Sequence, residues 1–247
     1  MDEKQPLFKK PILLFLGIVV VILAIRSSIV EPFRIPARSM LPTLWIGDFL
    51  FVNKLQYAVH VPFTEIFADR PWYLGDVRSP KRGDVIVFTP PEAGQESLYI
   101  KRIVGLPGDR IRFDGKKFFL NGKSVYREEI TGTERDGFLR APGFDPEERY
   151  QPERLHLYRE TIDQSTHLIL EDDSFEGFKS ENEITVPDDH FFVLGDNRDD
   201  TRDSRVFGVI SRHSIRGRAF AIWLSYRVSF SDSRWSFRFN RMGALIR

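Results

Sequence analysis

Tyr99-Ile100-Lys101-Arg102-Ile103-Val104-Gly105-Leu106-Pro107-Gly108-Asp109 reads as a strand that runs into a turn, with aromatic and β-branched residues first and Gly, Pro, Gly and Asp closing the run. Side chains alternate along a strand, so Tyr99, Lys101 and Ile103 share one face. Apolar surface on both sides of an ammonium disfavours its charge. The same pattern recurs on either side of this stretch. Phe49 to Val52, Asp84 to Thr89, Arg110 to Phe113, Lys117 to Leu120, His190 to Leu194 and Arg218 to Leu224 are short runs of this kind bounded by turn residues, and the strand at Lys101 spans Leu98 to Val104. Asn121-Gly122, between Lys117-Phe118-Phe119-Leu120 and Lys123-Ser124-Val125-Tyr126, is a two-residue hairpin signal. Helical periodicity is scarce after residue 45, so the fold class is mainly β. Residues 132 to 189, rich in Gly, Pro, Asp, Glu and Arg, predict a loop-rich second lobe.

A chain of 247 residues is long enough for one large domain or two modest ones, and its 22 phenylalanines argue against disorder. It contains no cysteine, which excludes a disulfide framework, a thiolate metal site and a cysteine nucleophile. The net charge of +1 conceals an asymmetry, since residues 127 to 190 hold 18 Asp/Glu against 7 Lys/Arg and the remainder is basic. A basic body suits nucleic acid or anionic lipid. The N-terminus decides between them.

Pro11 to Ile25 is 15 residues of uninterrupted apolar sequence. Continued through Arg26 to Val30 it predicts a helix of about 20 residues and roughly 30 Å, just enough to span a bilayer. A cleaved secretory signal is the competing reading, because Lys9 and Lys10 precede the apolar core. No small-x-small cleavage site lies just beyond that core, which favours an uncleaved anchor over residues 11–30. Lys4, Lys9 and Lys10 balance Arg26, Arg34 and Arg38, so charge does not orient the span. At the other end, residues 234 to 247 interleave Arg234, Arg238, Arg241 and Arg247 with Trp235, Phe237 and Phe239, a pattern that predicts an interfacial membrane contact rather than a nucleic-acid surface.

Ser39-Met40-Leu41-Pro42-Thr43 follows the apolar segment closely, which places a candidate serine nucleophile beside a membrane. Such a hydroxyl needs a base within hydrogen-bond reach. His60, His156, His167, His190 and His213 lie in no hydrolase motif, and no G-x-S-x-G elbow surrounds Ser39. A Ser-Lys pair is the recognised alternative. The third notable segment is Gly195-Asp196-Asn197-Arg198-Asp199-Asp200-Thr201-Arg202-Asp203-Ser204-Arg205. As a calcium loop it fails, for it lacks the central glycine and the closing glutamate.

In this order the three segments closely resemble the bacterial type I signal peptidases, membrane-bound serine proteases with lysine as general base. Glu31-Pro32-Phe33 and Arg82-Gly83-Asp84-Val85-Ile86-Val87-Phe88 extend the resemblance, which covers about Arg26 to Arg110 and Pro187 to the C-terminus. It implies a catalytic β-domain of antiparallel sheets over 31–109 and 188–247, a variable insertion lobe over 110–187, and an anchor that leaves residues 1–10 in the cytoplasm and the body on the outer face of the plasma membrane. Ser39 would attack, and Lys101 would serve as base in a pocket walled further by Phe88 and Val193. Thr201 would orient the lysine nitrogen. Asp196, Asn197, Asp203 and Arg205 would form an ion-paired scaffold, with Asp203 and Arg205 the principal pair, whereas Arg102 reads as a second, unpaired cation. Phe33, Ile35, Met40, Leu44, Tyr99 and Ile100 would line shallow pockets for small side chains of an extended substrate. Ala37 stands where many members carry a hydroxyl donor to the oxyanion, leaving the Ser39 N–H as the obvious donor.

The expected reaction is removal of signal peptides from exported precursors, without metal or cofactor, and the expected partners are those precursors and membrane lipid. Two other readings are a specialised Ser-Lys processing or self-cleaving protease and an inactive membrane-anchored β-domain that binds peptides.

Overall fold

The computed structural model describes residues 9–61, 73–76, 78–92, 98–141, 151–229 and 234–246. The chain divides into two compact units, residues 1–31 with 53–79 and residues 32–52 with 80–247.

In the first unit, α1 (Lys9–Ser28) precedes a small antiparallel pair, β3 (Ala58–His60) with β4 (Tyr73–Asp76). Lys54 joins its two chain segments, its N–H donating to the Ile29 carbonyl at 2.9 Å and its ammonium lying 3.3 Å from Glu31. The helix expected over residues 11–30 is therefore present, two residues earlier at each end. Among the described residues, however, no helix is long and apolar enough to cross a membrane. Charged residues at Lys9, Lys10 and Arg26 bracket the 15 apolar residues, which as helix are only about 22 Å long. Ile12, Leu13, Leu14, Phe15 and Leu16 are consecutive, lie on all sides of α1 and are all exposed.

The second unit is built on one sheet, ordered β1-β2-β16-β5-β6-β14-β15, with β17 added on β16. Its strands are β1 (Val30–Arg34), β2 (Asp48–Asn53), β5 (Val85–Phe88), β6 (Tyr99–Gly105), β14 (His190–Leu194), β15 (Ile210–Ser211), β16 (Ile215–Ser229) and β17 (Arg234–Phe237). The strand expected at Lys101 is β6, buried at every position after Tyr99. It pairs antiparallel with β5 over Tyr99 to Arg102 and with β14 over Arg102 to Gly105. Ile35, Met40, Leu44, Leu50, Val85, Val87 and Ile100 belong to one core cluster of this unit.

β7 (Arg110–Asp114), β8 (Lys117–Leu120), β9 (Lys123–Ser124) and β13 (Ile184–Thr185) form a second sheet. Asn121 and Gly122 make its expected turn, with φ of 52° and 78°. The stretch expected to be loop-rich holds more regular structure than its composition predicts. β10 (Tyr126–Ile130), β11 (Leu155–Ile162) and β12 (Ser165–Asp172) form a three-stranded antiparallel sheet, and α2 (Gly132–Leu139) follows β10. Glu160, His167, Glu171 and Asp172 are buried on its strands, and these polar residues hide the apolar alternation by which a strand is recognised.

Candidate active site

Ser39 lies in the turn between β1 and β2, where the Leu41 N–H donates to the Arg38 carbonyl and the Leu44 N–H to that of Met40. Lys101, on β6, places its Nζ 2.7 Å from Ser39 Oγ, and the same nitrogen donates to the Ile100 carbonyl at 2.9 Å. Its exposure is 4%. The Tyr99 ring stands 5.5 Å from the nitrogen. Phe88 and Val193, both buried, lie on the flanking strands opposite Tyr99 and Ile103. Burial lowers the Lys101 pKa from 10.5 to about 8 against the pull of Asp203 and Asp196.

The other expected site residues gather behind this pair. Asp203 and Arg205 form a two-point ion pair, with Nε to Oδ1 at 2.9 Å and Nη2 to Oδ2 at 2.8 Å. Asp203 Oδ2 also accepts the Gly195 N–H at 3.0 Å. The Asn197 N–H donates to the Ser39 carbonyl at 3.1 Å and its side-chain amide to the Arg38 carbonyl at 3.4 Å. Asp196 is likewise buried, but its partner is Arg102, through Nε to Oδ1 at 2.8 Å and Nη2 to Oδ2 at 2.7 Å. Arg102, expected as an unpaired cation, is thus a fully buried member of the scaffold. It points to the opposite face of β6 from Lys101, so the alternation that exposed the lysine's setting could also have signalled the arginine's.

Thr201 departs from expectation. Its Oγ1 is buried with no hydrogen-bond partner among the described residues, because the lysine nitrogen bonds instead to Ser39 and the Ile100 carbonyl. Thr201 packs on Gly195, where an added Cβ would lie 2.4 Å from Thr201 Oγ1 and 2.5 Å from the Ser39 carbonyl oxygen.

A cleft of about 640 Å³ opens over Ser39 and Lys101. Phe33, Tyr99 and Ile100 line it as expected, together with Pro36, Ala37 and Leu98. Ile35, Met40 and Leu44 do not. They are 0 to 1% exposed, as members of the core cluster against which the partly buried Phe33 packs. At the C-terminus, Arg238 and Arg241, expected at a membrane interface, are turned into the protein. Arg241 Nη2 donates to Asp48 Oδ2 at 2.5 Å and to the Thr43 carbonyl at 3.0 Å, and Arg238 Nε donates to Ser225 Oγ at 2.8 Å. Asp48 is fully buried and draws these cations in. Phe237 and Phe239, stacked at 5.9 Å, are exposed as expected. The side chains of Arg234, Trp235 and Arg247 fall outside the described residues.

A serine hydroxyl beside a buried amine, in a cleft of a mainly β fold, has the two groups that a hydrolase of the serine-lysine class requires. Comparison with known proteins makes this specific: the family described as signal peptidase, peptidase S26, matches residues 8–224, and the chain belongs to it. A signal peptidase I of Pseudomonas aeruginosa is 36% identical over 235 residues, 91% of this chain and 75% of that protein. One from Haemophilus influenzae is 34% identical, covering 93% of this chain and 73% of its own. A crystal structure of a signal peptidase I from Enterococcus faecalis V583 covers 57% of this chain and 97% of that one at 24% identity, with a TM-score of 0.31, a likeness too slight to bear on the fold.

Proposed function

We propose that Ser39 is the nucleophile and Lys101 the general base of this chain, which by family is a serine endopeptidase that removes signal peptides from precursor proteins. The observation that carries the assignment is the 2.7 Å approach of Lys101 Nζ to Ser39 Oγ in a site where burial brings the amine to about 8. A neutral amine has one lone pair and two protons. It can take the Ser39 proton while still donating to the Ile100 carbonyl. The alkoxide then adds to the scissile carbonyl, the Ser39 N–H faces the developing oxyanion, and the lysine returns its proton to the leaving amine. Water, deprotonated by the same lysine, hydrolyses the acyl-enzyme. No step requires a metal or cofactor.

The substrate lies extended in the cleft. Among the described residues, Tyr99 to Lys101 pair with β5 alone, because the β14 ladder begins at Arg102, and Phe33 and Pro36 line the same cleft. Both segments can therefore pair with a bound chain. Phe33, Tyr99 and Ile100 form the shallow apolar walls for small side chains before the cut.

Membrane attachment through α1, with the N-terminus in the cytoplasm and the second unit on the outer face, suits a substrate delivered at a bilayer. The exposed apolar residues of α1 and the exposed Phe237 and Phe239 support it.

The test uses the full chain in detergent and a peptide with Ala-x-Ala before the cut. Ser39→Ala, Lys101→Ala and Lys101→Arg are each expected to abolish cleavage while leaving the protein folded, since a guanidinium does not deprotonate. Turnover near the wild-type rate in any of the three would remove the dyad.

A further inference from the structure

Asn197 holds the backbone of the nucleophile, and each of its neighbours is tied by a buried ion pair to a different sheet. Asp196 takes the fork of Arg102 on β6. Arg198 reaches the other way, to Glu160 on β11, with Nη1 donating to Oε2 at 2.8 Å and Nη2 bonded to Oε1. Glu160 is 0% exposed and Arg198 6%. The backbone repeats the link. The Leu170 N–H donates to the Asp196 carbonyl and the Arg198 N–H to the Leu170 carbonyl, both at 2.9 Å, which makes a single parallel bridge between Asn197 and Leu170 of β12. Arg205 closes the far side by donating to the Arg198 carbonyl at 2.6 Å. His167 Nε2 stands 3.3 Å from Glu160 Oε1, and burial, reinforced by Arg102, lowers its pKa, so the charge of Glu160 is answered by Arg198.

A buried ion pair contributes little net stability compared with well-packed apolar residues of the same volume. What a two-point Arg–Glu fork does supply is a fixed geometry between two elements. Here those elements are the loop carrying Asn197 and the β10–β12 sheet, for which the reaction chemistry supplies no other role. We infer that Glu160, acting through Arg198, is a positioning residue for the reaction: the β10–β12 sheet is the wall against which the 195–205 loop, and with it Ser39, is held facing Lys101. The inference rests on Ser39 being the nucleophile.

The experiment compares wild type with the double variant Glu160→Leu/Arg198→Met, which removes the fork without leaving a buried charge unpaired, in the full chain in detergent. The double variant should keep its unfolding midpoint within a few degrees of wild type. Its kcat should fall on the order of tenfold or more, as expected of a slight misplacement of reacting groups, with KM within about twofold. Phosphonylation of Ser39 by a small fluorophosphonate, in which a P–O bond forms as fluoride leaves and which makes no use of the peptide cleft, should slow in the same proportion. A folded double variant with wild-type kcat, or one changed only in KM, would overturn the inference. Should the double variant not fold, Arg198→Lys decides: it keeps the charge and loses the fork, so kcat should fall at constant KM, and a wild-type kcat would count against the inference. Ser39→Ala, run in parallel, keeps the two readings apart, because turnover retained there defeats the dyad whatever Glu160 does.

Discussion

Burial brings Lys101 down to about 8 while Asp203 and Asp196 pull it back toward 10.5. The balance suits a base that must be neutral to act yet be able to hold the proton it receives. Gly195 is a second position on which the proposed site depends, because a methyl group there would meet both Thr201 and the Ser39 carbonyl. Gly195→Ala is expected to lower kcat by about 100-fold, in line with a displacement of about 1 Å at a reacting group. The single-turnover rate of acylation checks this, and a rate within twofold of wild type would show that the loop yields without moving Ser39. The burial of Lys101 was legible in the sequence because its neighbours on the strand face, Tyr99 and Ile103, are apolar, whereas its assignment as base came from the resemblance of the whole Tyr99 to Asp109 segment. Gly195 was not, since nothing local marks a glycine needed for close approach when its backbone is ordinary.

At the scale of elements, the strands were readable wherever one face is apolar, as in β5, β6 and β14, and the Asn121-Gly122 turn was readable from its two residues alone. β11 and β12 escaped because Glu160 and His167 occupy buried positions on them, where a sequence pattern expects apolar side chains. The same cause hid the roles of Arg102, Arg238 and Arg241: a cation is assigned to solvent or lipid until its buried carboxylate is found. Asp48 supplies that carboxylate for the C-terminal turn, accepting from Arg241 beneath the segment that follows Ser39. Asp48→Ala is therefore predicted to leave two arginines without their buried partner and to destabilise the protein by about 3–5 kcal/mol. Thermal unfolding measures it, and a loss below about 1 kcal/mol would mean that the arginines find water instead. Arg102→Met should behave similarly, by stranding Asp196 within the scaffold.

For the whole molecule, the cleft, the dyad and the scaffold all lie within residues 32–52 and 80–247, whereas α1 belongs to the other unit. Removing residues 1–28 is accordingly predicted to leave kcat for a short soluble peptide within about threefold, as little transition-state contact is lost. Processing of a precursor embedded in vesicles should fall much further, because local concentration at the bilayer is lost. Equal losses on both substrates would show that α1 serves the site rather than delivery.

The claim that a neutral, buried lysine activates Ser39 is tested most directly by the pH dependence of kcat/KM for the full chain in detergent. Activity requires unprotonated Lys101, so kcat/KM should rise with pH through an apparent pKa of about 8 and be well advanced before the ordinary lysine value near 10.4 is reached. An activity limb near 6.5 that vanishes on replacement of one of the five histidines would contradict the assignment.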